Sequence, residues 1–291
     1  MEIWFIFAVL SAVVGGIGAF GNKIAAQRNY SSQLIIILNA LTSLTIFVPL
    51  ALYFESNKSI SLELAAVAFI GGVVSSSSSL IKIQVLHYID SAIFLPLFKV
   101  IGPLIVIFIG IIFFGESFSL IEWAGLIVSM CVPLLLVSKI EHTRQNNLKL
   151  GLILVCVCAI TSAVATGLHK LATDINSAPL WIISIISVGI LFSSSIQYLI
   201  KYKGMLSKSL QAQYSNGVLH VALLRTIFAG GGFFLTLLAF IYGGPLGIVY
   251  TINSLYILPP IILAIVFYGE HWNFRKALAI ALSVLALALL Q

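Results

Sequence analysis

The chain has 291 residues, of which 60% are hydrophobic and only 8% charged, with a formal net charge of +6. A soluble globular domain carries about a quarter charged residues, so a water-facing fold is excluded and lipid is the expected solvent. The positive balance does not point to nucleic acid. Most basic residues fall in short breaks between apolar runs, where topology signals sit.

A membrane span needs about 20 apolar residues to cross the hydrocarbon core. Ten runs qualify or nearly do: 3–26, 33–54, 63–87, 91–114, 119–138, 149–173, 179–200, 218–242, 245–268 and 275–290. The first follows Met1-Glu2, with no basic region and no small-residue cleavage site, and reads as a retained span. Gly, Pro, Asn, Ser or charge separates the runs, as helix ends require. They lack the period-2 alternation of a membrane barrel, so helices are predicted throughout. The most polar break, Lys139–Lys149 (KIEHTRQNNLK), divides the ten runs into two fives.

The halves resemble each other. Run 4 carries Lys99 between Pro96 and Pro103 and stops at Phe113-Phe114-Gly115-Glu116; run 9 stops at Phe267-Tyr268-Gly269-Glu270. Run 1 ends Gly21-Asn22-Lys23-Ile24-Ala25-Ala26, and run 6 ends Leu168-His169-Lys170-Leu171-Ala172-Thr173. Fixed-period self-similarity marks duplication. Five is odd, so the second copy enters the membrane inverted, and inverted repeats place a transport site between them. The predicted fold is all-α integral membrane, with ten transmembrane helices as two inverted five-helix repeats. The first repeat spans 1–138, the polar linker 139–148 and the second repeat 149–291.

Two five-span halves, each with a fourth span ending Phe-aromatic-Gly-Glu and a fifth at once behind it, resemble the drug/metabolite transporter superfamily with two EamA-type domains. The resemblance implies that spans 1–4 and 6–9 surround a central path, with spans 5 and 10 outside. It also implies alternating access and no cofactor; an enzyme is not expected, because no nucleophile–base pair or paired aspartates sit inside a span. The substrate stays open, because that superfamily moves amino acids, drugs, sugars and phosphorylated metabolites. Its small multidrug exporters depend on a glutamate in the first span, which this chain lacks. The resemblance implies termini inside. The charge count says the opposite, with nine Lys or Arg in the loops after spans 1, 3, 5, 7 and 9 against Lys58 alone on the other side. A multi-pass protein of a bacterial-type plasma (inner) membrane is expected, as monomer or homodimer.

Five further basic residues lie within or near the ends of apolar runs: Lys23, Lys82, Lys99, Lys170 and Arg225. An ionisable residue inside a membrane marks a functional site by default. From the helix rise, Lys82, Lys99 and Arg225 each lie about 11–13 Å inside the same face. Every acidic residue falls at a span end or in a loop. The missing counter-charge is then the substrate's carboxylate or phosphate, which arginine can clamp and lysine neutralise. Snorkelling to the interface or pairing with Asp90 would also satisfy these cations. Asn39, Gln84, Tyr250, Asn253 and Tyr256 join the predicted lining, with helix–helix hydrogen bonding as the alternative. Lys23 and Lys170 are expected at opposite faces, as interfacial anchors or gates. Glu116 and Glu270 read as structural residues of tight turns.

Ser75–Ser79 and Ser193–Ser195 read as close-packing surfaces. Gly71-Gly72, Gly230-Gly231-Gly232, Pro103, Pro259 and Pro260 read as points where helices weaken or kink. Cys131, Cys156 and Cys158 read as buried free thiols, and neither they nor the five histidines have metal-site spacing. The expected function is secondary transport of a small organic solute, anionic in the first reading. The other readings are an exporter of neutral or zwitterionic solutes such as amino acids, or an anionic-lipid translocator. The expected partners are a small-molecule substrate and the lipid bilayer, with no cofactor, metal or nucleic acid.

Overall fold

A computed structural model describes residues 2–27, 32–85, 88–89, 91–135, 148–202, 216–255, 259 and 274–291. The helices are α1 (Ile3–Gln27), α2 (Ser32–Phe54), α3 (Leu62–Val85), α4 (Ser91–Phe114), α5 (Leu120–Leu135), α6 (Leu148–Ile175) and α7 (Pro179–Tyr202). There follow α8 (Asn216–Arg225), a π-helical turn (Thr226–Gly230) and α9 (Gly231–Ile241), which run on as one rod, then α10 (Leu246–Ser254) and α11 (Phe274–Leu289). The described residues thus form ten helical rods, and no strand occurs among them. Wherever both ends are described, helix and expected span agree within two residues. The second half of the ninth span and nearly all of the linker lie outside the described residues.

The helices start and stop for local reasons. Ser61 Oγ accepts from the Leu64 amide at 3.1 Å and opens α3. Ser119 and Glu122 form a reciprocal capping box at α5: the Glu122 amide donates to Ser119 Oγ (3.3 Å) and the Ser119 amide to Glu122 Oε2 (2.6 Å). Gly115 ends α4 with φ +65°, a left-handed conformation that suits glycine. Two further caps come from the other half of the chain. Glu55, just past α2 and 8% exposed, accepts from the amides of Leu180 (3.1 Å) and Trp181 (3.0 Å) at the start of α7. Glu116 accepts from the amides of Leu246 and Gly247 (3.1 Å) at the start of α10. Glu116 is indeed a structural residue of its turn, but its partners lie 130 residues away. Glu270 lies outside the described residues.

The main packing joins one half of the chain to the other. α1 lies against α9 and the π turn, α2 against α7, and α3 against α6 and α7. α4 lies against α6 and α10, and α5 against α11. Small residues set the closest crossing. A Cβ at Gly72 would fall 2.2 Å from the Ile186 carbonyl oxygen, and one at Gly189 would fall 2.3 Å from that of Phe69. The backbones of α3 and α7 therefore touch, the usual device where lipid offers no hydrophobic drive to helix association. α3 stays one helix through Gly71-Gly72, and α4 through Pro96 and Pro103. The rod departs from α geometry over Thr226–Gly230, ending at the first of the three glycines, while Gly231 and Gly232 are α-helical. Cys158 is buried as expected, but Cys131 and Cys156 are exposed on outer faces of their helices, so that expectation holds for one thiol only.

Candidate functional site

Four helical faces line a partly open cavity of about 320 Å³. α2 presents Ile36, Asn39, Ala40 and Ser43, and α7 presents Ile183, Ile186, Ser187 and Ile190, each at i, i+3, i+4 and i+7. α3 adds Ser75, Ser76 and Ser79. The rod adds Arg225 and then Thr226, Ala229, Gly230 and Phe233. α6 contributes His169, which is 8% exposed. The wall on the rod is the π turn itself. Such a turn interrupts the regular ladder and recurs at functional sites.

Most of the polar groups here are tied across helices. In the amide orientation that sets donor against acceptor, the Asn39 nitrogen donates to the Ala222 carbonyl (3.2 Å) and its oxygen accepts from Arg225 Nη1 (3.2 Å). Asn39 thereby steers the guanidinium from a neighbouring helix. Thr42 and Thr226 join hydroxyls at 2.5 Å, and Thr226 also donates to the Ala222 carbonyl at 3.0 Å. Ser43 and Ser187 meet at 2.7 Å. Ser75 Oγ lies 3.3 Å from His169 Nε2, and the His169 ring stands edge-on to Phe233 with centroids 5.0 Å apart. Ser76 is 1% exposed, and its Oγ has no hydrogen-bond partner. The lining thus combines the Arg225 guanidinium, the His169 imidazole, five serines and four isoleucines. No Asp, Glu or Lys is among the described residues that line it.

Of the eight predicted lining residues, the cavity takes Arg225 and Asn39. Lys82 instead places its ammonium 4.6 Å from the centroid of the Phe98 ring, a cation–π contact. Lys99 is 7% exposed, on α4 next to Phe98. Gln84 is exposed. The Tyr250 hydroxyl lies against Gly102, where a Cβ would sit 3.0 Å from it. Asn253 accepts from Ser11 and donates to Thr236 Oγ1 at 3.1 Å, binding α10 to α1 and α9. Tyr256 and the Lys23 side chain lie outside the described residues. Lys170 pairs with Asp174 at 3.2 Å and also faces the rings of Phe240 (5.7 Å) and Phe114 (6.0 Å).

His169 is not among the predicted lining residues, and Ser75, Ser76 and Ser79, expected on a close-packing surface, also belong to the lining. The run Ser75–Ser79 divides by helix face. Ser78 packs on Cys158, with 3.9 Å between Oγ and Sγ, while Ser75, Ser76 and Ser79 face the cavity. Their i, i+1, i+4 spacing is the signal that could have separated them. Among the described residues, no three His, Cys, Asp or Glu side chains gather to hold a metal ion.

Residues 2–138 match the EamA-like transporter family. No curated protein matches the chain significantly. A crystal structure of another protein superposes with a TM-score of 0.77 at 13% identity, covering 99% of this chain and 98% of that one. At that identity the likeness speaks for the fold alone, and it extends over both halves. Six described helical stretches are long and apolar enough to cross a membrane, in α2, α3, α4, α6, α7 and the α8–α9 rod. The protein is an integral, multi-pass membrane protein.

Proposed function

We propose that this protein is a secondary transporter of the drug/metabolite type that carries a small organic anion, with a carboxylate or phosphate, by alternating access. One observation carries the anionic assignment: the cavity holds the Arg225 guanidinium beside Asn39, and none of the described residues that line it is acidic. A buried guanidinium favours a planar anion that accepts two parallel bonds. The family match over residues 2–138 supports transport rather than catalysis.

The two-repeat reading draws support from the packing. If each span matches the one five later, the contact of α1 with the α8–α9 rod is the image of that between α6 and α3, and the contact of α4 with α6 that between α10 and α1. All four contacts occur. The cavity then lies on the seam, where rocking one repeat against the other would open it to either side.

The test is thermal stabilisation of the detergent-purified protein by carboxylates, phosphates, neutral amino acids and organic cations. Anions are expected to raise the melting temperature of the wild type but not of Arg225→Gln. Stabilisation by organic cations alone would overturn the proposal. Stabilisation by amino acids alone, equal in both forms, would replace it with the neutral-solute reading.

A further inference from the structure

A helix starts with amides that need acceptors, and a side chain next to it in sequence usually supplies one. α3 and α5 follow that rule through Ser61 and Ser119. α7 and α10 do not. The residue before α7 is Ala178, and Pro245 at the start of α10 makes no side-chain cap. Their amides bond instead to Glu55 and Glu116, which stand just past α2 and α4 in the other half of the chain. Each carboxylate uses both of its oxygens, one per amide.

A local cap moves with its helix and survives any rearrangement. A cap borrowed from the other half exists only while the halves are together at that point. Both borrowed caps lie at one end of the bundle, where α2 and α4 finish and α7 and α10 begin. Two more bonds between the halves lie beside Glu55. The Trp181 indole nitrogen donates to the Glu55 carbonyl at 3.2 Å, and the Asn176 side-chain nitrogen donates to the Ser59 carbonyl at 2.8 Å. The cluster is also continuous with the cavity. Ser43 of α2 and Ser187 of α7 pair in the cavity lining, and Glu55 meets Leu180 seven residues nearer the start of α7, about 10 Å along the same seam.

We infer that Glu55 and Glu116 are latch residues: they hold the two halves shut at this end of the bundle, and transport requires their release. The inference rests on the alternating-access reading and names side chains that set its balance.

Spin-label distances in the detergent-purified full chain, measured by double electron–electron resonance, test it. The background carries Cys131→Ala, Cys156→Ala and Cys158→Ala. One label pair, Tyr53→Cys with Leu171→Cys, reports the latched end, and another, Gln84→Cys with Lys149→Cys, reports the opposite end. All four positions are exposed and lie within helices, and each pair joins the two halves. Glu55→Ala with Glu116→Ala is expected to raise the share of molecules with a longer distance at the latched end by about tenfold or more, the usual return of two lost caps. The opposite end should keep its distance. Glu55→Gln with Glu116→Gln, which keeps one oxygen at each site, should give a smaller rise, and it keeps the test valid if the alanine variant fails to fold. An unchanged distance at the latched end, or equal lengthening at both ends, would overturn the latch and leave the two residues as structural caps. If the latched end stays shut in the variants while the opposite end shows two distances, alternating access stands without this latch. A single, unchanged distance at both ends in every form would overturn both.

Discussion

On the proposed anionic reading, charge selection turns on Arg225, with Asn39 in hydrogen-bonding reach of its guanidinium. Lysine at that position would keep the charge but lose the planar fork. Arg225→Lys is therefore expected to weaken anion affinity by about tenfold or more, since a charge-assisted bond is worth more than a neutral one. Titration of the purified variant measures this, and unchanged affinity would show that only net charge matters. Asn253 gives the contrast. Its bonds to Ser11 and Thr236 join helices away from the cavity wall. Asn253→Leu is expected to lower stability by about 0.6 kcal/mol, and at most about 1.7, with anion affinity unchanged. Equilibrium unfolding in mixed micelles, together with the same titration, checks both halves of that expectation.

Arg225 and Asn39 are legible in the sequence because a charge or an amide inside an apolar run has few explanations. Lys82 obeys the same rule yet lies over Phe98, because depth along a helix can be counted from sequence while the face it presents depends on the neighbours. His169 is harder to find. It stands in an apolar run beside Lys170, whose charge draws notice first, and its partner Ser75 belongs to a different helix.

At the scale of whole elements, span boundaries are well marked, because the switch from apolar to polar residues is what ends a span. What covers those ends is not legible. Glu55 and Glu116 look like ordinary loop acids, yet each caps a helix of the other half. Loss of water on burial raises the Glu116 carboxyl above its ordinary value of 4.5, a shift opposed by the amides of Gly247 and Leu246 and by Lys170. A raised folded-state value means that this group's contribution to stability is fullest below 4.5 and is lost as pH rises through the raised value. Glu116→Gln retains an oxygen for one of the two α10 amides and cannot ionise. The melting temperature of the wild type is expected to fall relative to Glu116→Gln as pH rises from 4.5. Parallel melting curves across that range would show that the shift has no bearing on stability.

The α3–α7 crossing makes a sharper demand, because what a new Cβ would meet is backbone. Gly72→Val must push the two helices apart, at a cost of about 1–3 kcal/mol by analogy with overpacked cores. Gly15, where a Cβ meets open space, is the control. Gly15→Ala is expected to be neutral or stabilising by up to about 1 kcal/mol, as alanine is the better helix former. Equal unfolding free energies for the two variants would mean that the crossing is not closely packed in the membrane.

The whole molecule has a charge polarity that bears on its orientation. One end of the bundle carries Glu2, Glu55, Lys58, Glu63, Glu116, Glu122 and Asp174, with Lys170 one turn inside it. Among the described residues, Lys149, Lys201, Arg275 and Lys276 lie at the other end, and the order of the spans in the sequence assigns Arg28, Lys139, Arg144, Lys203 and Lys208 to loops there. Lysine and arginine in short loops stay in the cytoplasm, while acidic residues count for little. The basic end should therefore face the cytoplasm, which puts both termini outside. Fusions at either terminus test this directly. An alkaline phosphatase is expected to be active there, and a fluorescent protein that matures only in the cytoplasm is expected to stay dark. The reverse result would mean that the charge count is overridden, and the termini would lie inside as the family resemblance implies. Activity of both reporters would mean that the chain inserts both ways, which two inverted repeats allow on structural grounds. In that case, replacing Lys201 and Lys203 with glutamine should move the ratio toward the cytoplasmic reporter, because it removes part of the only asymmetry that the two orientations do not share.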